Sequence, residues 1–261
     1  MKVSRKPAVA GTFYPDDPQV LALMVDELLA QNPGRCARPK ALIVPHAGYI
    51  YSGAIAASAY NTLHPLRDSI RRVVLLGPSH YVAFHGLAYS EADAFATPLG
   101  AVELNKKDLP LIQSLPQVKQ LEQAHQREHS LEVQLPFLQR TLARFTLLPL
   151  VVGEASAKEV GEVLERLWGG DETLIVVSSD LSHYLSYSEA KMVDLATSQA
   201  IEKLNTAGIG AEQACGRTPI IGLLNRAKAH HLQVTTLDLR NSGDTAGTKD
   251  RVVGYGAYVL Q

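Results

Sequence analysis

The sequence predicts an α/β fold: a three-layer α/β/α sandwich around a mostly parallel mixed sheet. Three observations support this prediction. Short apolar runs rich in Val and Ile recur along the chain, bounded by Gly and Pro, which is typical of strands buried on both faces. Stretches with apolar residues at helical spacing lie between most of these runs. Three of the runs end in the same way, at a histidine. Strands that alternate with helices over this length form a sheet with helices on both faces.

The strands are predicted from the apolar runs. They are expected at residues 41–44, 72–76, 86–89, 97–104, 145–152, 173–177, 232–239 and 252–260, with a turn near Ala94. The last two strands are joined by a short link without a helix, which predicts an antiparallel pair.

The helices are predicted from apolar periodicity and from capping residues. After an irregular, aromatic segment over 5–15, Asp17 and Pro18 begin the first helix, because aspartate caps a helix and proline fits its first turn. The turn Asn32-Pro33-Gly34 ends it. Further helices are expected over 53–63 (capped by Ser52), 106–114, 157–168, 187–204 and 220–229, and another begins at Glu128 with a kink at Pro136.

Composition narrows the class of protein. The 261 residues, 46% of them apolar, bury a large core, and the lack of a linker favours one domain over 1–261. A net charge of −1 argues against a nucleic-acid-binding surface. No apolar stretch approaches the roughly 20 residues of a membrane span, and no signal-peptide pattern opens the chain. Because Cys36 and Cys215 make no disulfide framework, we expect reduced thiols and a cytoplasmic location.

Three histidines follow directly on three predicted buried strands. His46 follows residues 41–44, His80 follows 72–76 and His183 follows 173–177. Ligands bind beyond the carboxyl ends of the strands in an open α/β sheet, so this recurrence predicts a shared site. A single histidine of this kind is more often a hydrogen-bonded loop residue. Imidazole binds iron, copper, nickel and zinc, so the histidines alone select no metal.

A fourth region matches a known motif in the wrong context. His125 to His129 reads H-x-x-E-H, the pattern of a zinc-protease family that needs both histidines one turn apart within a helix. Here Glu128 is predicted to begin the helix and His125 to lie in the preceding loop, at or near the surface. The protease interpretation is therefore rejected, while His129 is kept as a residue that faces the crevice. His64, His230 and His231 are expected at the surface, and His85 is given no role.

Cys215 lies in a turn before a helix and beside Arg217. A helix N-terminus and a neighbouring cation both lower the pKa of a thiol, which favours a thiolate for ligation or nucleophilic attack. The alternative is a small buried apolar side chain. Cys36 carries no such signal. Asp180 either orients the ring of His183 through a hydrogen bond or caps a turn.

Seven motifs carry a resemblance that spans nearly the whole chain in order. They are RKPAVAGTFYP at the N-terminus, PHAGYIYSG around His46, LLGPSHY around His80, EHSLEVQLPFLQ around His129, SSDLSHY around His183, CGRTPIIGLL around Cys215 and RVVGYGAYVL near the end. In these motifs the chain resembles the Memo family, whose prokaryotic members are described as system protein B of the AmmeMemoRadiSam group.

The resemblance implies a fold like that of the class III extradiol dioxygenases. It also implies a metal pocket formed by His46, His80 and Cys215, with His183 at the position of the dioxygenase acid/base. Extradiol enzymes bind Fe(II) through two histidines and a carboxylate. A thiolate at the third position is softer, suits copper as well as iron, and is itself open to oxidation.

Two classes of function follow. The first is a mononuclear iron or copper protein with redox or dioxygenase-like activity on a small aromatic or phenolic substrate. The second is a non-catalytic module that binds a peptide or a small anion in the same crevice. In either case the expected crevice residues are Tyr14, Tyr49, His129, Asp180, Tyr184 and Arg217. The His46 and His80 nitrogens and the Cys215 sulfur are expected within about 4 to 5 Å of one another, given ligand bonds near 2.0–2.3 Å.

Overall fold

The structure is a computed structural model that describes residues 3–31 and 38–261. The strands are β1 Ser4–Arg5, β2 Ala41–Val44, β3 Arg72–Pro78, β4 Leu87–Tyr89, β5 Ala94–Thr97, β6 Gly100–Glu103, β7 Val118–Gln120, β8 Thr146–Val152, β9 Thr173–Ser178, β10 His183–Leu185, β11 Val234–Asn241 and β12 Val252–Leu260. The predicted turn at Asn32-Pro33-Gly34 and the cysteine Cys36 lie outside the described residues.

Eight α-helices connect these strands within the described ranges. They are α1 Pro18–Gln31, α2 Tyr49–Tyr60, α3 Leu109–Ile112, α4 Glu122–Gln126, α5 Leu135–Thr141, α6 Ala157–Leu167, α7 Tyr187–Glu202 and α8 Arg217–Ala229. Short 3-10 segments occur at Asn61–Leu66, Glu132–Gln134, Thr206–Gly208 and Ser242–Asp244. None of these helices combines the length and the hydropathy that crossing a bilayer requires.

One large mixed sheet organises the described chain, and it confirms the predicted α/β fold. Its nine strands follow the order β10-β12-β2-β9-β3-β8-β4-β7, and β11 pairs with β12. The four central strands β2, β9, β3 and β8 are parallel, and antiparallel pairings flank them on both sides. The β11–β12 pair is antiparallel, as the short link predicted. A smaller sheet joins β1, β5 and β6.

The central strands bury side chains on both faces, which explains their continuous apolar sequence. Along β2, Leu42 and Val44 contribute to one hydrophobic core, whereas Ala41 and Ile43 contribute to the other. Helices α1, α2 and α5 pack into the first core, and α6, α7 and α8 pack into the second. Helices on both faces of the sheet give the predicted three layers.

Strand order brings the three histidine-bearing segments to one edge of the sheet. Strand β9 lies between β2 and β3, with Ser178 paired to Val44 and Val177 paired to Leu76. Because these strands are parallel, their carboxyl ends lie side by side. The residues that follow them therefore share one crevice.

Two element predictions around the crevice are wrong. The helix expected from Glu128 begins only at the 3-10 turn Glu132–Gln134 and continues as α5, because the Glu128 carboxylate is bound to groups of the loop and of His80. Pro136 lies in the first turn of α5, where its missing N–H costs nothing, so it does not kink the helix. Ser52 lies inside α2, where its hydroxyl donates to the Ala47 carbonyl.

Between β4 and β7, the predictions of a strand over 97–104 and of a turn near Ala94 are wrong, and the helix over 106–114 is found only in part. Residues 97–104 are not one strand, because β5 and β6 form a hairpin whose turn at Pro98-Leu99 includes a bond from the Leu99 N–H to Thr97 Oγ1. The turn near Ala94 is therefore misplaced, since Ala94 begins β5. The helix expected over 106–114 shortens to α3, with Pro110 in its first turn.

Candidate metal centre

The candidate centre lies at the carboxyl edge of the sheet. His46 follows β2, His80 follows β3 and Asp180 follows β9, while Cys215 precedes α8. The Cys215 N–H donates to the Asp180 carbonyl at 3.3 Å, and the Gly216 N–H donates to Ser179 Oγ at 2.8 Å. A Cβ at Gly216 would lie 2.7 Å from that of Ser179, so only glycine allows this approach. These contacts hold the Cys215 turn against the end of β9.

Three potential ligand atoms converge there. One ring nitrogen each of His46 and His80 and the Cys215 sulfur all lie within 4.8 Å of one another, inside the range expected from ligand bonds. His46 Nε2 is 3.3 Å from Cys215 Sγ. His46 is buried, Cys215 is partly buried and His80 is exposed, so the cluster is reached from the side of His80.

The hydrogen bonds of the Ser178 hydroxyl determine the tautomer of His46. Its Nδ1 lies 2.9 Å from Ser178 Oγ. The single Ser178 hydroxyl proton goes to the Ser130 carbonyl at 2.6 Å, and the same oxygen accepts a bond from Gln134 Nε2 at 2.8 Å. A hydroxyl has one proton and two lone pairs, so His46 Nδ1 must donate to the remaining lone pair. His46 Nε2 therefore carries no proton, and its lone pair is the acceptor that faces the Cys215 thiol at 3.3 Å.

In His80, too, Nε2 carries no proton, but here a carboxylate, that of Glu128, holds Nδ1. Its Nδ1 lies 2.8 Å from Glu128 Oε1, and its backbone N–H donates to Oε2 at 2.7 Å. Burial of Glu128 opposes its ionisation, but the hydrogen bonds and charge of His80 and the Ser130 N–H outweigh it and lower the pKa of Glu128 to about 2. An ionised carboxylate only accepts, so His80 Nδ1 is the donor and its Nε2 is free.

The donor set fits a single soft or borderline metal ion. One ring nitrogen of each histidine and the Cys215 sulfur lie within 4.8 Å of one another, and both Nδ1–H groups are held by a second group, as is usual for metal-binding histidines. With two nitrogens and a sulfur from the protein, further coordination positions stay open.

The thiol itself differs from the prediction. Burial and the negative charge of Asp180 raise the pKa of Cys215 to about 12, so the predicted lowering is wrong. Arg217 does not reach the thiol, because its Nε donates to the Ile209 carbonyl at 2.8 Å. A metal cation is the group that would stabilise a thiolate at this position.

A second set of potential ligands, His80, Glu128 and His129, overlaps the first. Both oxygens of Glu128 already accept hydrogen bonds, from His80 and from the Ser130 N–H. The carboxylate is therefore better suited to orienting His80 than to binding an ion.

His129 nevertheless lies within the site. Its ring stacks on His80 with centroids 4.5 Å apart and meets His46 edge-on at 5.5 Å, and Phe13 packs on it at 4.9 Å. Burial, reinforced by His46 and His80, lowers the pKa of His129 to about 4, so its ring is neutral. Its buried Nδ1 has no hydrogen-bond partner among the described residues.

Asp180 and His183 complete the third strand end. Asp180 is buried, and its Oδ1 accepts the His46 backbone N–H at 2.7 Å, so it fixes the segment that carries His46. Burial raises the pKa of Asp180. His183 begins β10 and is partly buried. Burial and then the charge of His80 are the main causes that lower the pKa of His46 to about 3, and His183 adds to them.

The predicted aromatic residues occupy two different environments. Tyr14 and Tyr49 are core residues whose hydroxyls donate to Glu132 Oε1 and to the Val133 carbonyl, both at 2.6 Å. They support the loop behind the site and do not line the crevice. Tyr184 is 68% exposed and adopts φ 58°, a left-handed conformation that is uncommon outside glycine. Its ring lies 5.9 Å from that of His183.

The prediction for His125 is wrong in one respect. The side chain is buried in α4, and its Nε2 lies 3.1 Å from the Ala88 carbonyl, because α4 packs against β4. Among the described residues, no group of potential ligands joins His125 to His129. His85 is exposed and pairs with Glu154 at 3.2 Å.

Sequence reasoning missed the groups that support the ligands, namely Arg5, Glu128, Ser130, Gln134 and Ser178. Arg5 lies in the motif RKPAVAGTFYP, Glu128, Ser130 and Gln134 lie in EHSLEVQLPFLQ, and Ser178 begins SSDLSHY, so the motifs contain all five residues without indicating their roles.

Comparison with solved structures supports the fold. The crystal structure of the uncharacterized protein JW3007 of Escherichia coli K12 aligns with a TM-score of 0.51, covering 82% of this chain and 98% of that one. The two sequences are 11% identical, so the likeness shows the fold alone.

Comparison of sequences identifies the family. The MEMO1 family protein of Aquifex aeolicus (strain VF5) is 39% identical, covering 96% of this chain and 97% of that protein. The MEMO1 family protein of Methanosarcina mazei is 35% identical, covering 98% and 99%, and protein TV1383 of Thermoplasma volcanium is 32% identical, covering 98% and 97%. The family described as Memo-like protein matches residues 5–259. The resemblance seen in the motifs is thereby confirmed, and the chain belongs to the Memo-like protein family.

Proposed function

We propose that this protein is a metal-dependent oxidoreductase with a mononuclear iron or copper centre formed by His46, His80 and Cys215. The observation that carries the proposal is that one donor atom from each of these three residues lies within 4.8 Å of the others, with both histidine Nε2 atoms left without a proton. Neither ring needs to change its tautomer to bind an ion. The arrangement is therefore prepared for ligation.

The substrate class follows from the donors and the surrounding rings. When bound, iron or copper supplies Lewis acidity and one-electron chemistry at the positions that the protein leaves open. Neutral aromatic rings, His129 and Phe13, pack beside the ligands. A small aromatic or phenolic molecule is the substrate that this environment favours.

His183 is the proposed acid/base. It follows the third strand end and acts electrostatically on both His46 and Asp180, yet it does not belong to the ligand group. A partly exposed imidazole can take a proton from a phenolic hydroxyl and return it.

Metal analysis tests the centre. Protein purified anaerobically without chelator is expected to contain about one equivalent of iron or copper. In calorimetric titrations, His80→Ala should weaken metal binding strongly, whereas His183→Ala should leave it nearly unchanged. His64→Ala, at an exposed histidine, is the matched control. Any turnover should fall roughly 10²–10⁴-fold in His183→Ala. Equal loss of metal in His80→Ala and His183→Ala would instead make His183 a fourth ligand of a closed structural site.

A second candidate function is a binding module for a peptide or a small anion. Tyr81 and Tyr184, which directly follow His80 and His183, are 48% and 68% exposed. The Arg127 guanidinium lies 5.0 Å from the centre of the Tyr81 ring and adds a cation. Metal-free protein that binds an acidic tyrosine peptide, with loss in Arg127→Ala and no turnover, would favour this function over the first.

A further inference from the structure

We propose that Glu128 is a positioning residue of the metal centre, which holds the His80 ring in the tautomer that leaves Nε2 free for a metal ion. This inference rests on the proposed metal site, and it assigns a role to the motif around His129 that the ligand set leaves unexplained. Glu128 itself does not bind the metal ion.

The Glu128 carboxylate accepts hydrogen bonds on both of its oxygens. Oε1 accepts from His80 Nδ1 at 2.8 Å and from the Ser130 N–H at 2.9 Å, and Oε2 accepts from the His80 N–H at 2.7 Å. The Glu128 side chain is 1% exposed, whereas that of His80 is 28% exposed. One buried carboxylate thus accepts hydrogen bonds from both the ring and the backbone of an exposed histidine.

Arg5 fixes the position of the loop that carries Glu128. The Arg5 guanidinium donates to the Glu128 carbonyl at 2.8 Å, to the His125 carbonyl at 2.6 Å and to Glu132 Oε2 at 2.6 Å. Glu132 is buried and also accepts the N–H groups of Ala8 and Val9. The N-terminal motif is therefore the clamp that holds the loop of Glu128 in place.

The site requires a hydrogen-bond acceptor at both oxygen positions of the Glu128 side chain. In Glu128→Gln, an amide NH₂ in place of Oε2 would face the His80 N–H, donor against donor. In the opposite orientation the NH₂ would face His80 Nδ1 and favour the tautomer with its proton on Nε2, where the metal should bind. The isosteric change therefore removes the pair of acceptors that selects the Nδ1–H tautomer of His80, with little change of shape.

The test measures the tautomer and the metal separately. Nitrogen NMR of metal-free protein near neutral pH should show a proton on His80 Nδ1 in the wild type and a gain of the Nε2–H form in Glu128→Gln. Cobalt(II) titration should show binding weakened roughly 10- to 100-fold in Glu128→Gln, the usual effect of removing an orienting group. The sulfur-to-cobalt absorption band should persist, because Cys215 is untouched. Glu128→Asp, which keeps the charge, should recover part of the affinity.

Glu154→Gln is the matched control, because Glu154 also pairs with a histidine but at the surface. It should change neither measurement. A wild-type His80 with its proton on Nε2 would overturn the proposal without any variant, as would Glu128→Gln with unchanged tautomer and affinity. If the wild type binds no cobalt, the metal site itself fails, while the tautomer measurement still decides the role of Glu128.

Discussion

The two histidines of the centre are supported in opposite ways. The His46 ring is buried and is held by neutral groups, the Ser178 hydroxyl and, behind it, the Gln134 amide. The His80 ring is 28% exposed and is held by the charged Glu128. A neutral hydroxyl suffices where water is excluded, because an unpaired charge there would be costly. The His80 ring is open to water, and the ionised Glu128 carboxylate, itself only 1% exposed, makes the stronger hydrogen bond that competes with water for this ring.

The hydrogen-bond networks behind the two histidines also lead to different groups. The neutral one continues to the Pro45 carbonyl and to the Tyr60 hydroxyl, which donates to Gln134 Oε1 at 2.9 Å. The charged one leads to the Arg5–Glu132 pair, in which the buried charges neutralise each other. Substitutions near His46 should therefore destabilise the protein by removing hydrogen bonds, whereas substitutions near His80 should destabilise it by leaving a buried charge unpaired.

One of the two largest effects on stability is expected from Arg5→Met. It leaves the Glu132 carboxylate buried without its cation and should lower the free energy of unfolding by about 3–5 kcal/mol. Urea unfolding measures this, and Arg5→Lys, which keeps the charge, should lose less. A loss below roughly 1 kcal/mol in Arg5→Met would mean that Tyr14 and the backbone N–H groups satisfy Glu132 alone.

Ser178→Ala tests the neutral side. It removes the one hydroxyl shared by His46, Gln134 and the Ser130 carbonyl. Because Gln134 Nε2 keeps its bond to the Pro45 carbonyl, two buried groups lose their partner, and the loss in urea unfolding should be about 2–6 kcal/mol, at about 1–3 kcal/mol each. Ser4→Ala, at an exposed strand position, should change stability by less than about 0.5 kcal/mol. Equal losses in the two variants would contradict the shared role of Ser178.

The pH dependence of the free energy of unfolding distinguishes the buried histidines, which are neutral in the folded protein, from the ionised Glu128. Burial lowers the pKa of His125 to about 4, so between pH 6.5 and 4 the unfolded chain binds a proton that the folded one does not, and stability falls as pH falls. From pH 6.5 to 5 this histidine should remove about 1.5 kcal/mol, which His125→Gln should restore. His46 and His129 act in the same direction. Denaturant unfolding at several pH values gives the slopes, and identical slopes would refute the assignment.

Glu128 acts in a lower range of pH. Its lowered pKa contributes stability above the unfolded value near 4.5, and that stability is lost as pH falls towards 2. It therefore does not interfere with the histidine measurement above pH 5.

The smallest effect is expected at the surface. The His85–Glu154 pair has the same chemistry as His80–Glu128, but its side chains are 82% and 81% exposed. Glu154→Gln should change the free energy of unfolding by less than about 0.5 kcal/mol, measured beside Glu128→Gln. Similar losses in the two would show that burial does not distinguish these pairs.

The sequence predicted the candidate ligands better than the groups that support them. His46 and His80 end Val- and Ile-rich runs, a pattern that a parallel sheet converts directly into proximity. Glu128 and Arg5 lie in irregular segments, where no periodicity indicates which groups meet. The sequence also could not show that Arg217 turns to the Ile209 carbonyl or that burial raises the pKa of Cys215. Both depend on packing between segments far apart in the chain.

The position of β9 between β2 and β3 has a consequence for the order in which the chain is made. A nascent chain that ends before Thr173 already carries His46 and His80, but it lacks the strand that belongs between them and lacks Cys215. Pairings between such distant segments form slowly during folding. The β3 edge that β9 will occupy lacks its partner during that interval, and unpaired strand edges of this kind are prone to aggregation.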